Sequence, residues 1–250
     1  MATINSQRHG AKAMITFNNL SGVVLDIEGT TCPLDFVSNS LFPHARAAIP
    51  KFVEQHRNDP KLINLWNELD QTIAAEEADQ APKEMAPYLQ WLIDQDRKVA
   101  PLKELQGLIW REGYAEGNLK APLFNDVEKA LRNWRSLGLK LAVYSSGSIE
   151  AQKLLYRHSS AGDLNNLFSG WYDTRIGSKL NSQSYVDIAL NLGIKPLELL
   201  FISDIPLELE AAKKAGYQVC GSQRAGNKFF FDKNLFPIVN NFNQLKLESK

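Results

Sequence analysis

The sequence predicts an α/β fold, a parallel sheet core carrying an inserted helical block, on three observations. Val23-Val24-Leu25-Asp26-Ile27 is an apolar, β-branched run broken only by its acid, as expected of a strand covered on both faces. After Pro122 helix-like and strand-like segments alternate, the pattern of a parallel sheet. Between these stretches, from about Pro33 to Gly117, the chain reads as helix with little strand-like material.

Taken in order, residues 1–14 read as a disordered tail, polar and without an apolar secretory core. The sheet core is expected over 15–33 and 119–250, and the helical cap over 34–118. In the cap, Asp59-Pro60 supplies a helix start, and Leu62, Leu65, Trp66, Leu69 and Ile73 follow the 3.6-residue period up to the acidic stretch Glu76–Asp79. Met85, Tyr88, Leu89 and Leu92, then Leu102, Leu105, Leu108 and Ile109 after Pro101, form two further apolar stripes, and the segment around Pro43 and Pro50 is a fourth candidate. In the core, a helix with Val127, Ala130, Leu131, Trp134 and Leu137 stops at Gly138, followed by a strand over 139–144. A helix over 149–158, a short strand over 168–172, a helix closed by Gly193, a strand over 199–202, a helix over 207–215 and a strand over 217–220 complete the series.

Composition narrows the function. A chain of 250 residues with 44% hydrophobic and 22% charged residues is ordinary for a globular protein. Lys plus Arg equals Asp plus Glu at 28 each, with no long block of one sign, so neither nucleic acid nor a membrane surface is an expected partner and a small molecule is. Cys32 and Cys220 have no metal-type spacing. No stretch reaches the roughly 18 apolar residues of a membrane span, and the expected compartment is the cytosol.

Chemistry gathers where strands end. Asp26 lies at the carboxyl end of its strand, and Glu28 stands two residues on, before Gly29-Thr30-Thr31. A second strand runs into Ser145-Ser146-Gly147-Ser148 before a helix, where hydroxyls and N–H groups form a natural cradle for phosphate. A third delivers Ser203-Asp204, with Glu208 four residues later. Asp204 is expected beside Asp26, and two such acids repel unless a cation lies between them; hard carboxylate oxygens suit Mg²⁺, with Glu208 placed to hold a water bound to it. Lys179, in a loop before a helix, would neutralise charge near a phosphate. Each signal alone is ordinary: Ser-rich turns usually cap helices, and a lone lysine is usually solvated.

Together, in this order, these segments resemble the four motifs of the haloacid dehalogenase superfamily. The resemblance implies a haloacid dehalogenase-like Rossmannoid core with a cap. It also implies that Asp26 is the nucleophile forming an aspartyl phosphate and Glu28 the acid/base. Asp26, the Glu28 backbone carbonyl and Asp204 would then hold Mg²⁺, Ser145 and Ser146 would bind the phosphoryl group, and Lys179 would balance its charge. Most phosphatases of the superfamily have Asp where this chain has Glu28. That departure, with Val143 to Lys153 and Leu105-Gln106-Gly107-Leu108-Ile109-Trp110-Arg111, is similar to the enolase-phosphatase family of methionine salvage. That family implies a monomeric Mg²⁺-dependent enzyme. Its members enolise a phosphorylated diketone, 2,3-diketo-5-methylthiopentyl-1-phosphate, and dephosphorylate the enol to the acireductone. One segment departs from the family: Arg224 is followed by Ala225, where Pro is usual. Two alternatives stay open, a generic sugar-phosphate phosphatase of the same superfamily and a catalytically silent binding module.

Overall fold

The computed structural model describes residues 3–5, 14–229, 231–232 and 235–250. The chain forms two compact units, Met1–Leu34 with Ala121–Lys250, and Asp35–Lys120.

The first unit contains, in chain order, β1 (Thr3–Asn5), β2 (Met14–Leu20), β3 (Gly22–Leu25) and, after the second unit, α5 (Val127–Ser136), β4 (Lys140–Tyr144), α6 (Ile149–Arg157), β5 (Phe168–Tyr172), α7 (Ser182–Leu192), β6 (Leu199–Ser203), α8 (Pro206–Lys214), β7 (Gln218–Ser222), β8 (Ile238–Val239) and β9 (Leu245–Ser249). Six strands make one sheet in the order β5-β4-β3-β6-β7-β8, with every neighbouring pair parallel. Its central strands are buried along their whole length, as covering both faces demands. On one face Val24, Ala142 and Phe201 pack against Tyr185, Ile188 and Ala189 of α7 and Leu209 and Ala212 of α8. Gly193, in the left-handed conformation at φ 67°, ends α7 as its lack of a Cβ allows.

The sequence reading missed a second, three-stranded sheet, β1-β2-β9. Alternation is present in both main strands, since Ile15 and Phe17 of β2 and Leu245 and Leu247 of β9 are buried between more exposed neighbours. What was not legible is that two chain ends pair in parallel, Ile15 opposite Leu245 and Phe17 opposite Leu247. Most of the tail expected to be disordered, residues 1–2 and 6–13, lies outside the described residues. Within the described part the expectation is corrected: Thr3–Asn5 pair antiparallel with Met14–Thr16, because the free edge of β2 offers unpaired backbone groups.

The second unit is helical among its described elements, with α1 (Phe42–His56), α2 (Ile63–Ala74), α3 (Met85–Asp94) and α4 (Ala100–Ala115). Its core is the predicted stripes: Leu65, Trp66 and Leu69 meet Tyr88, Leu89 and Leu92, and Leu102, Leu105 and Ile109, joined by Ala45, Ile49 and Phe52 of α1. Asp59 caps the turn before α2 by accepting from Lys61 N at 2.9 Å. Pro50 sits inside α1, so its missing N–H leaves one helical hydrogen bond unmade. Among the described residues no helix is long and apolar enough to cross a membrane.

Candidate active site

Three central strands end in register. Leu25 lies opposite Val143 of β4 and Ile202 of β6, so Asp26, Ser145 and Asp204 leave the sheet at the same carboxyl edge. There the chain after β3 folds back on itself: Ile27 O accepts from the N–H groups of Thr30, Thr31 and Cys32 at 3.1, 2.9 and 2.9 Å. Gly29 makes this turn at φ 67°, so close to the Asp204 carboxylate that a Cβ there would collide with it. Glu28 is half-buried in the same turn.

Asp26 is buried and its oxygens are differently employed. Oδ1 accepts from Ile27 N at 2.8 Å and pairs with Lys179 Nζ at 2.7 Å, while Oδ2 receives Ser203 Oγ at 3.3 Å. Lys179 also pairs with Glu208 Oε2 at 2.7 Å, and Glu208 receives Ser203 Oγ at 2.8 Å. Burial pulls the lysine's pKa down, but Asp26 and Glu208 overcome it and hold the ammonium above the ordinary lysine value. Lys179 is thus 8% exposed rather than solvated, with its loop pinned through backbone carbonyls. Tyr185 Oη donates to Lys179 O at 2.8 Å, Ser184 Oγ to Ser178 O at 2.8 Å and Tyr144 Oη to Gly177 O at 3.0 Å. Glu208, read from sequence as the holder of a water, is here an anchor for that lysine. Burial and the neighbouring Asp26 still keep its carboxyl above the usual glutamate range.

Burial, then Asp26 and Glu208, push the Asp204 carboxyl up to about 7. Its Oδ2 is buried without a hydrogen-bond partner. An orphaned, repelled carboxylate oxygen beside a second carboxylate is the environment a divalent cation relieves, so the residues fit Mg²⁺. Among the described residues no three His, Cys, Asp or Glu side chains are placed to hold a metal ion. The carboxylates that could hold it are Asp26 and Asp204, and the family resemblance adds the backbone carbonyl of Glu28, a small set of the kind Mg²⁺ completes with water and phosphate oxygens.

This charge arrangement has a measurable consequence for stability. A carboxyl whose folded-state pKa is raised stabilises the fold fully below its unfolded value near 4, and the contribution disappears as pH rises through about 7. In a chelator, the melting temperature of the wild type is expected to fall from pH 5 to pH 8 more steeply than that of Asp204→Asn. Equal slopes in the two proteins would show that Asp204 is not held in this way.

Ser145 is buried, its N–H donating to Tyr172 O at 3.1 Å and its Oγ receiving Gly147 N at 3.4 Å. Ser146 is exposed in the turn. The cradle read from sequence is this turn, and the helix N-terminus it leads into is already served: Ser148 Oγ accepts from Ala151 N at 3.2 Å and Asp173 Oδ2 from Ile149 N at 3.2 Å. Gln152, which the sequence reading gave no role, fixes that turn by donating from Nε2 to Gly147 O and Tyr172 O, each at 2.8 Å.

A protein-family model described as a haloacid dehalogenase-like hydrolase matches residues 20–216. The chain is 52% identical over 222 residues to enolase-phosphatase E1 of Synechococcus sp. (strain RCC307), covering 86% of this chain and 89% of the relative. It is 42% identical over 232 residues to enolase-phosphatase E1 of Aquifex aeolicus (strain VF5), covering 91% and 100%. The chain belongs to the enolase-phosphatase E1 family of haloacid dehalogenase-like hydrolases. The crystal structure of the UTR4 protein of Saccharomyces cerevisiae, 35% identical, superposes with a TM-score of 0.76 over 90% of this chain and 99% of that one. Beyond the motif residues, this member of the enolase-phosphatase E1 family places Ser203 between Asp26 and Glu208. The serine lies next to Asp204 in sequence, and only the register of β6 against β3 reveals its contact with Asp26.

Proposed function

We propose that this chain enolises 2,3-diketo-5-methylthiopentyl-1-phosphate and then removes its phosphate, giving the acireductone of methionine salvage, with Asp26 as the nucleophile. The observation that carries the reading is the meeting of Asp26, Asp204 and Lys179 at one sheet edge, beside a turn bearing Glu28.

Asp26 presents a carboxylate oxygen to phosphorus. As its O–P bond forms and the ester P–O bond breaks, Glu28 gives its proton to the departing enol oxygen. Glu28 then takes a proton from the water that cleaves the aspartyl phosphate, regenerating Asp26 and releasing phosphate. Lys179, held between Asp26 and Glu208, keeps a positive charge where the phosphoryl oxygens gather negative charge. Ser145 Oγ and the N–H groups of its turn hold the phosphoryl oxygens. Mg²⁺ at Asp26, Asp204 and the Glu28 carbonyl would supply charge neutralisation for both the phosphate and the polarised carbonyl.

The inserted unit Asp35–Lys120 follows directly on the Glu28 turn in the chain, and we assign it the selection of substrate and the exclusion of water. A cytosolic monomer is the matching context. The test is competition: kcat/KM for the diketo phosphate should exceed that for common sugar phosphates by about a hundredfold or more if the chain is built for that substrate. Equal values would favour the generic phosphatase.

A further inference from the structure

The segment Ser222–Asn227, from the last residue of β7 onward, carries none of the chemistry above, yet its side chains converge on the turn that holds Glu28. The Gly29 carbonyl receives Ser222 Oγ at 3.0 Å and Asn227 Nδ2 at 3.0 Å, and the same amide also reaches Ser222 O at 2.9 Å. Arg224 Nε donates to the next carbonyl, Thr30 O, at 3.2 Å. Its Nη1 pairs with Asp126 Oδ1 at 2.8 Å and donates to Asn240 O at 3.1 Å. The guanidinium lies between the rings of Phe124 and Phe242, 4.5 and 4.6 Å from their centroids. Asp126 is fixed in turn, its Oδ2 accepting from Phe242 N at 2.6 Å. Arg224 is thus a buried strut tied at both ends.

A short turn held by three side-chain donors on two successive carbonyls has little freedom to swing. Gly29 is also confined on its other side, where Asp204 Oδ2 and Asn227 Oδ1 crowd the place a Cβ would occupy. The residue immediately before this clamped glycine is Glu28, so the clamp fixes the backbone from which that carboxyl is projected. We propose that Ser222, Arg224 and Asn227 are positioning residues that set Glu28 in line with the leaving-group oxygen. The inference rests on Glu28 being the acid of the first phosphoryl transfer. Proton donation tolerates little error in placement: a shift of about 1 Å in a reacting group costs up to roughly a hundredfold.

The test uses the full chain with Mg²⁺ and two phosphate monoesters, 4-nitrophenyl phosphate and a simple alkyl phosphate. Under kcat/KM conditions only the first transfer is read. Nitrophenolate leaves without protonation and an alkoxide does not, so a displaced acid slows the alkyl ester selectively. Ser222→Ala/Asn227→Ala removes both donors to Gly29 O, and Asn227→Ala alone, at a half-buried site, serves if the double variant does not fold. For the alkyl ester we expect kcat/KM to fall by about tenfold to a hundredfold, with the nitrophenyl ester within about twofold. Glu28→Gln should show the same selectivity more strongly. If the clamp variants slow both esters equally while Glu28→Gln remains selective, the clamp is only structural and the proposal is overturned. If Glu28→Gln slows both equally, the acid role itself fails, and the clamp's purpose with it.

Discussion

Asp26→Asn is expected to stop phosphate release while the enol phosphate still forms. The amide keeps an oxygen at the same place and fills the same volume, so the buried site around Ile27 N and Ser203 Oγ survives. It is, however, a very poor nucleophile toward phosphorus. Losing a covalent nucleophile elsewhere costs about six orders of magnitude in kcat, and a loss of that order is expected here in phosphate release. Enolisation moves a proton and needs a polarised carbonyl, not an attack by Asp26, so ultraviolet absorbance of the conjugated enol should rise and persist. Phosphate released at the wild-type rate would remove Asp26 from the mechanism. Neither enol nor phosphate, with substrate and Mg²⁺ shown to bind, would mean that both steps use this carboxylate.

Asp204→Ala is expected to separate stability from activity. The carboxyl it removes is buried, repelled by Asp26 and Glu208, and has an oxygen without a hydrogen-bond partner. In the absence of Mg²⁺ the variant should therefore melt no lower than the wild type at pH 8, where the repulsion is fully expressed. Activity should nevertheless fall by about a thousandfold or more, because a charge-stabilising group acting on the transition state is lost. Phosphate release and melting temperature, measured side by side across a Mg²⁺ titration, check both halves. Full activity of the variant in a chelator would contradict the site.

The acids were legible because apolar strands run straight into them: a lone Asp-x-Glu is ordinary, but three strands ending in Asp26, Ser145 and Ser203-Asp204 in this order are not. The helical unit was equally legible, since Trp66, Tyr88 and Leu105 sit on uninterrupted stripes and are buried as those stripes require. Lys179 was visible as a residue but not as a buried one. A lysine in a loop looks solvated until Asp26 and Glu208 are brought to either side of its ammonium by folding. Arg224 and Asn227 were less legible still, because their work is done on backbone carbonyls nearly the whole chain away, and a carbonyl leaves no mark in a sequence. The pairing of β2 with β9 escaped for the same reason: non-local contacts follow from topology and not from local pattern.

The most direct measurement offers the wild-type protein the diketo phosphate with Mg²⁺ and follows ultraviolet absorbance and inorganic phosphate together in a single turnover. An absorbance rise that precedes phosphate release, with one phosphate appearing for each substrate consumed and both signals lost on chelation, is the predicted result. Phosphate released without an enol, or turnover that is indifferent to chelation, would contradict the account.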